Sequence, residues 1–169
     1  MNLDYVRPNE EMSIMYFDQN GVFTKIPEPL SVICLPVQDD KLIYALHYKS
    51  KSGKYVLKLG FDSRRAILYS HGNAVDLGLC IDVIQFLGEK LDSDIYFYDY
   101  EGYGCNHGKP CAKNLPRDLR ALYDHVRKSF DGKNIYFYGE SSSVFVSIPI
   151  CSWKRSFLLC RSSAVRGTY

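Results

Sequence analysis

A chain of 169 residues has room for one core and little more. Its apolar and charged fractions are those of an ordinary globular protein, and a net charge of +2 gives no electrostatic footprint for nucleic acid. No apolar run reaches membrane-span length, and Met1-Asn2-Leu3-Asp4-Tyr5 lacks the basic and apolar segments of a secretory signal, so the expected location is cytoplasmic, with all six cysteines reduced.

The charge is unevenly spread. Residues 142 to 169 hold Lys154, Arg155, Arg161 and Arg166 and no acidic residue, a local +4, which leaves −2 for the rest. Four charges are too few for dense polybasic anchoring, so peripheral membrane contact is a weak expectation.

In chain order, Ile14 to Phe17, Lys41 to Tyr48 and Lys54 to Gly60 alternate as strands do, and Asn20-Gly21 and Ser52-Gly53 are turn signals. The spacing predicts an antiparallel hairpin of the Lys41 and Lys54 segments through Lys51-Ser52-Gly53. After residue 64 the pattern changes. Ala66-Ile67-Leu68-Tyr69, Ile95-Tyr96-Phe97-Tyr98 and Ile135-Tyr136-Phe137-Tyr138 are compact apolar runs without polar alternation. That suits strands buried on both faces of a parallel sheet. Between them, Leu77, Ile81, Ile84, Leu87 and Leu91 form one helical stripe, and Leu115, Leu119, Leu122, Val126 and Phe130 form another. Asn114 is the expected N-cap of the second helix, with Pro116 tolerated in its first turn. The succession predicts an alpha/beta chain of stacked crossover units, led by N-terminal antiparallel strands.

Residues 142 to 169 break the pattern, with seven serines, no acid and no histidine among 28 residues. Pro149 interrupts the helix expected after the third parallel strand, and Phe157-Leu158-Leu159-Cys160 is the one further strand candidate. The chain thus divides into 1–141, the first part of a single domain, and 142–169, a divergent basic tail.

Gly139-Glu140-Ser141-Ser142-Ser143 directly follows the third run. A nucleophile elbow needs small residues on both sides of its serine, because the strand turns sharply into a helix. The usual form is G-x-S-x-G; here Ser143 replaces the second glycine, and alone the motif is weak. His71-Gly72-Asn73-Ala74 follows the first run, with Gly72 expected to allow a close backbone approach and His71 to order the loop by hydrogen bonding. Asp99-Tyr100-Glu101-Gly102-Tyr103-Gly104 follows the second. Asp99 is acidic and near the expected site, yet its place before the serine favours a structural role, capping backbone N–H groups. Cys105, His107 and Cys111 share a loop, but their spacing fits no common zinc pattern, so neither metal nor cofactor is expected.

The stretch LYSHGNAVDLG, YFYDYEGYG, the Gly108-Lys109-Pro110 loop, the helix with Asn114 and Asp118, and YGES closely resembles the alpha/beta-hydrolase-domain protein depalmitoylases and their serine-aminopeptidase-like relatives. The resemblance covers about 75 residues well, from Ile67 to Ser141. It implies a partial alpha/beta-hydrolase fold and a serine hydrolase acting on esters or thioesters, among them acylated proteins. Ser141 would be the nucleophile, and the backbone N–H groups of Asn73 and Ser142 the oxyanion donors. The N-terminal cysteine cluster that anchors the depalmitoylases has no counterpart before Cys34.

In such a hydrolase the acid and then the histidine follow the serine. After Ser141 there is no Asp, Glu or His; His47, His71, His107 and His125 all precede it. The expectation is therefore a truncated, spliced or frame-shifted product, inactive or weakly active. The alternative is a non-catalytic remnant of the fold that binds a partner or an acyl ligand.

Overall fold

The computed structural model describes residues 15–17, 23–38, 41–51, 64–72, 75–140 and 157–161. Of residues 15–17, 23–25 and 157–161 it gives the backbone alone. Strands β1 (Met15–Phe17) and β2 (Phe23–Lys25) form a small antiparallel pair. The main sheet has six strands. They are β3 (Leu30–Pro36), β4 (Leu42–Tyr48), β5 (Ala66–Ser70), β6 (Asp94–Tyr98), β7 (Ile135–Glu140) and β8 (Phe157–Arg161), in the order β3-β4-β6-β5-β7-β8. β3, β4 and β6 pair antiparallel, whereas β6, β5, β7 and β8 run parallel. Antiparallel strands thus lead into a parallel sheet, as the pattern of the sequence predicts.

The expected hairpin is not formed by β4. Its edges are taken by β3, in register from Leu30↔Tyr48 to Pro36↔Leu42, and by β6. The Lys54–Gly60 segment lies outside the described residues. A local turn signal at Ser52-Gly53 pointed to the nearer partner; burial on both faces makes β4 an interior strand and selects β3 and β6 instead.

The three apolar runs are central for a plain reason. Every residue of β5 and β6 is buried. Along them the side chains alternate between two cores. Ile67, Tyr69, Ile95 and Phe97 join Leu46 and Tyr48 under helix α1 (Ile81–Leu91). Ala66, Leu68, Tyr96, Tyr98, Ile135 and Phe137 pack on the opposite face under helix α2 (Leu115–Val126). With an apolar layer on both faces, no polar alternation survives in the sequence.

Helix α2 follows its predicted stripe, with Leu119, Leu122 and Val126 fully buried and Phe130 closing the far end. Asn114 does not cap it through its side chain; its Nδ2 donates to Glu101 Oε2 instead, at 3.1 Å. Helix α1 buries Ile81 and Ile84, but Leu91, expected on the stripe, is largely exposed. Gly88 faces the Tyr48 ring, and a Cβ there would overlap it. A helix-interior glycine costs roughly 1 kcal/mol relative to alanine, which the close seating of α1 on β4 offsets. The outer side of this segment carries Leu79, Val83 and Phe86, all exposed. No helix among the described residues is long and apolar enough to cross a membrane.

Candidate active site

The C-terminal ends of β5, β6 and β7 lie side by side, in parallel register Tyr69↔Phe97 and Ser70↔Gly139. Open parallel sheets place their sites at this edge. Past β5 the chain continues as His71-Gly72; past β6 it continues as Asp99-Tyr100; β7 ends on Glu140. Gly72 sits against Glu140, where an added Cβ would lie 3.9 Å from Glu140 Cβ. The residue before Asn73 and the residue before Ser141 are thus neighbours. Ser141, Asn73 and Ser142 themselves lie outside the described residues. The 3.9 Å spacing is ordinary contact, so no close approach among the described atoms requires glycine at Gly72.

Asp99 organises the loop after β5. It is buried, and its Oδ1 accepts the Leu77 backbone N–H at 3.1 Å. The capping role expected of it is what the structure shows. His71 is equally buried, with Nδ1 2.8 Å from the carbonyl oxygen of Gly72 and Nε2 3.3 Å from Asp99 Oδ1. Nε2 makes no aligned hydrogen bond. The imidazole is also enclosed by Tyr100, Phe97 and Tyr103, whose ring centroids lie at 4.4, 5.4 and 5.7 Å. Tyr100 Oη donates to the His71 carbonyl at 2.8 Å. Burial pushes the Asp99 carboxyl above its ordinary range, while the adjacent imidazole pulls the other way.

The loop after β6 is tied down twice. Asn106 Oδ1 accepts the Tyr44 N–H at 2.9 Å, and its Nδ2 donates to the carbonyls of Asp99 and Tyr100. Glu101, nearly buried, meets Lys41 Nζ at 2.9 Å as well as the Arg117 guanidinium. Asp118, fully buried, accepts the Glu101 N–H at 2.9 Å and pairs with Arg117. Arg117 first, then Lys41, hold the Glu101 carboxyl below its ordinary range. Gly104 has φ +51°, and a Cβ there would run into the Asp99 carboxyl. That position demands both the left-handed conformation and the absence of a side chain. Asn106, Lys41 and Arg117 were missed in the sequence. An asparagine just past a glycine-rich turn is the one available signal, since its amide can satisfy backbone groups there.

The other candidate bases are elsewhere or exposed. His47 pairs with Asp94 at 2.9 Å, at the opposite end of β6. His125 is half-buried on α2, its pKa lowered by burial and then by Lys128 and His47. His107 is exposed. Two thiols flank the site. Burial, reinforced for both by the Asp99 carboxylate, pushes Cys80 and Cys105 up to about 12, so neither is a thiolate nucleophile near neutral pH. No group of three or more His, Cys, Asp or Glu among the described residues is placed to hold a metal.

No family model matches the chain. It is 39% identical over 93 residues to alpha/beta hydrolase domain-containing protein aho-3 of Caenorhabditis elegans, a match covering 54% of this chain and 28% of that one. It is 39% identical over 92 residues to human alpha/beta hydrolase domain-containing protein 17C, covering 53% of this chain and 28% of that one. Among solved structures, an alpha-beta hydrolase from Vibrio vulnificus superposes with a TM-score of 0.60 at 18% identity, over 78% of this chain and 43% of that one. The matched residues therefore span under a third of each of these two relatives.

Proposed function

We propose that the chain, which resembles alpha/beta hydrolase domain-containing proteins over about half its length, is built for serine hydrolysis of an ester or thioester, with the acyl group of an acylated protein as the favoured substrate class. In this mechanism Ser141 Oγ attacks the acyl carbonyl, and its proton passes to a histidine base that residues 142–169 do not contain. The carbonyl oxygen becomes an oxyanion held by the N–H groups of Asn73 and Ser142. Collapse expels the alcohol or thiol, which takes the proton from the base, and water then releases the acid by the same route. The observation that carries the reading is the neighbouring of Gly72 and Glu140, which flank Asn73 and Ser141. The palmitoyl-thioester preference rests only on the sequence resemblance from Ile67 to Ser141.

Residues 1–169 alone are expected to turn over slowly, since oxyanion donors and binding without a complete triad leave ~10³- to 10⁴-fold over water. Labelling with a fluorophosphonate tests the reading. Slow covalent modification at Ser141, abolished in Ser141→Ala, supports it. No modification of the folded chain above the Ser141→Ala control sinks it and leaves the non-catalytic reading.

A further inference from the structure

One carboxylate oxygen touches both described ends of the loop from His71 to Leu77. Asp99 Oδ1 accepts the N–H of Leu77 at its far end and lies 3.3 Å from His71 Nε2 at its near end. Gly72 O can only accept, so the 2.8 Å contact requires the proton on Nδ1. A neutral imidazole of that tautomer would leave Nε2 unprotonated 3.3 Å from a carboxylate oxygen, off the hydrogen-bond axis and with both groups buried. Two electron-rich atoms this close with no water between them repel each other, and a proton on either atom relieves the conflict.

We propose that His71 and Asp99 share one proton and together act as a positioning pair for the loop that carries Asn73. The pair touches no substrate. It fixes the two ends of the loop, and it keeps net negative charge away from the place where an oxyanion would form. The first effect matters because oxyanion donors work only when aimed before the reaction. The second matters because an unneutralised buried carboxylate beside a developing anion is repulsive in a medium of low dielectric. His71 is then unavailable as a general base, since both ring nitrogens are committed. The catalytic half of this inference rests on the serine-hydrolase reading; the shared proton and the loop anchoring do not.

Asp99→Asn separates these roles. Both interactions converge on one atom, so an amide can accept from Leu77 N–H or donate to Nε2, but not both. In the full chain, the limiting rate of fluorophosphonate modification at Ser141 should fall about 10²-fold, the order expected for a misplaced donor, while the half-saturating probe concentration changes less than about twofold. A purely structural lesion would change both together, or the melting transition with them. His71→Asn should cost a similar factor, and the double variant little more, because groups acting as a unit are not additive. Labelling of Asp99→Asn at the wild-type rate would overturn the proposal.

Two measurements decide it even where the variants fold poorly or Ser141 is not labelled. In the wild-type chain, ¹⁵N spectra of the His71 ring should show Nδ1 protonated and Nε2 proton-bearing or strongly hydrogen-bonded. The Leu77 amide should exchange slowly. A bare Nε2 signal, or fast exchange at Leu77, refutes the pair. Absence of Ser141 labelling with both signatures intact refutes the hydrolase reading and leaves the pair as a loop anchor.

Discussion

The sheet carries a histidine–aspartate pair at each end of β6, and the two differ in nearly everything except residue type. At the start of the strand, Asp94 accepts from Ser50 N–H at 3.0 Å and lies 2.9 Å from His47 Nε2, while the His47 ring stacks on Tyr96 at 4.2 Å. His47 is partly open to solvent, whereas Asp94 is nearly buried. At its end, Asp99 and His71 are sealed from water, poorly aligned with each other, and bound instead to the backbone of a loop. The outer pair is a good hydrogen bond with modest consequences. The inner one is a misaligned buried contact whose aspartate also holds the Leu77 N–H. Desolvation decides which is which, because an unsatisfied partner is cheap beside water and costly away from it.

The largest effect should come from removing the two aspartates in parallel. Asp99→Ala strands the Leu77 N–H and the buried imidazole and should cost about 3 kcal/mol. Asp94→Ala lets water serve the freed partners and should cost about 1 kcal/mol. Urea unfolding of the two variants measures the gap; equal losses would mean that burial does not distinguish the pairs.

Next is Gly104→Ala, which forces a side chain into the left-handed region and against the Asp99 carboxyl. A loss of roughly 1–3 kcal/mol is expected, again by urea titration, and it should shrink in an Asp99→Ala background where the clash partner is gone.

The pH dependence is smaller, and its sign separates Asp99 from Glu101. Burial raises the folded-state pKa of Asp99 above 3.8, so the folded chain binds the extra proton and Asp99 lowers stability as pH rises through that window. Arg117 and Lys41 depress Glu101 below 4.5, so its contribution is present above that value and is lost as pH falls through the folded one. Stability measured against pH should therefore lose its acid-side fall in Glu101→Gln and gain on the neutral side in Asp99→Asn, provided the loop stays closed. Identical profiles for both variants would remove the distinction.

The smallest effect serves as a control. Arg120 and Asp124 form an exposed i,i+4 pair on α2 at 2.7 Å. Arg120→Ala should shift stability by no more than about 0.5 kcal/mol, which sets the scale against which the buried pairs are read.

Much of the fold was legible in the sequence. The runs beginning at Ala66 and Ile95 are apolar throughout because both sheet faces are covered, and the run at Ile135 buries one face and half-buries Tyr136 and Tyr138 on the other; that lack of polar alternation is itself the signal. The α2 stripe was equally plain. β3 was missed: Leu30 to Pro36 follows one proline and ends on another, and its pairing with β4 has no local signature. The expected capping at Asn114 failed because its backbone is already helical, and its Nδ2 instead donates to Glu101.

At the site the division is sharper. The sequence by itself determined that small residues follow the third run, that a glycine-rich loop follows the second, and that no acid or histidine follows Ser141 among these residues. It also favoured a structural role for Asp99 over a catalytic one. Only the tertiary structure decided which atoms Asp99 holds, that Glu101 is enclosed by Lys41, Arg117 and Asn114, and that Gly72 meets Glu140. Periodicity and turn chemistry are local and can be read along the chain. A buried carboxylate takes its partners from whatever the sheet order brings to one edge, and that order is set by long-range burial, not by neighbours in sequence.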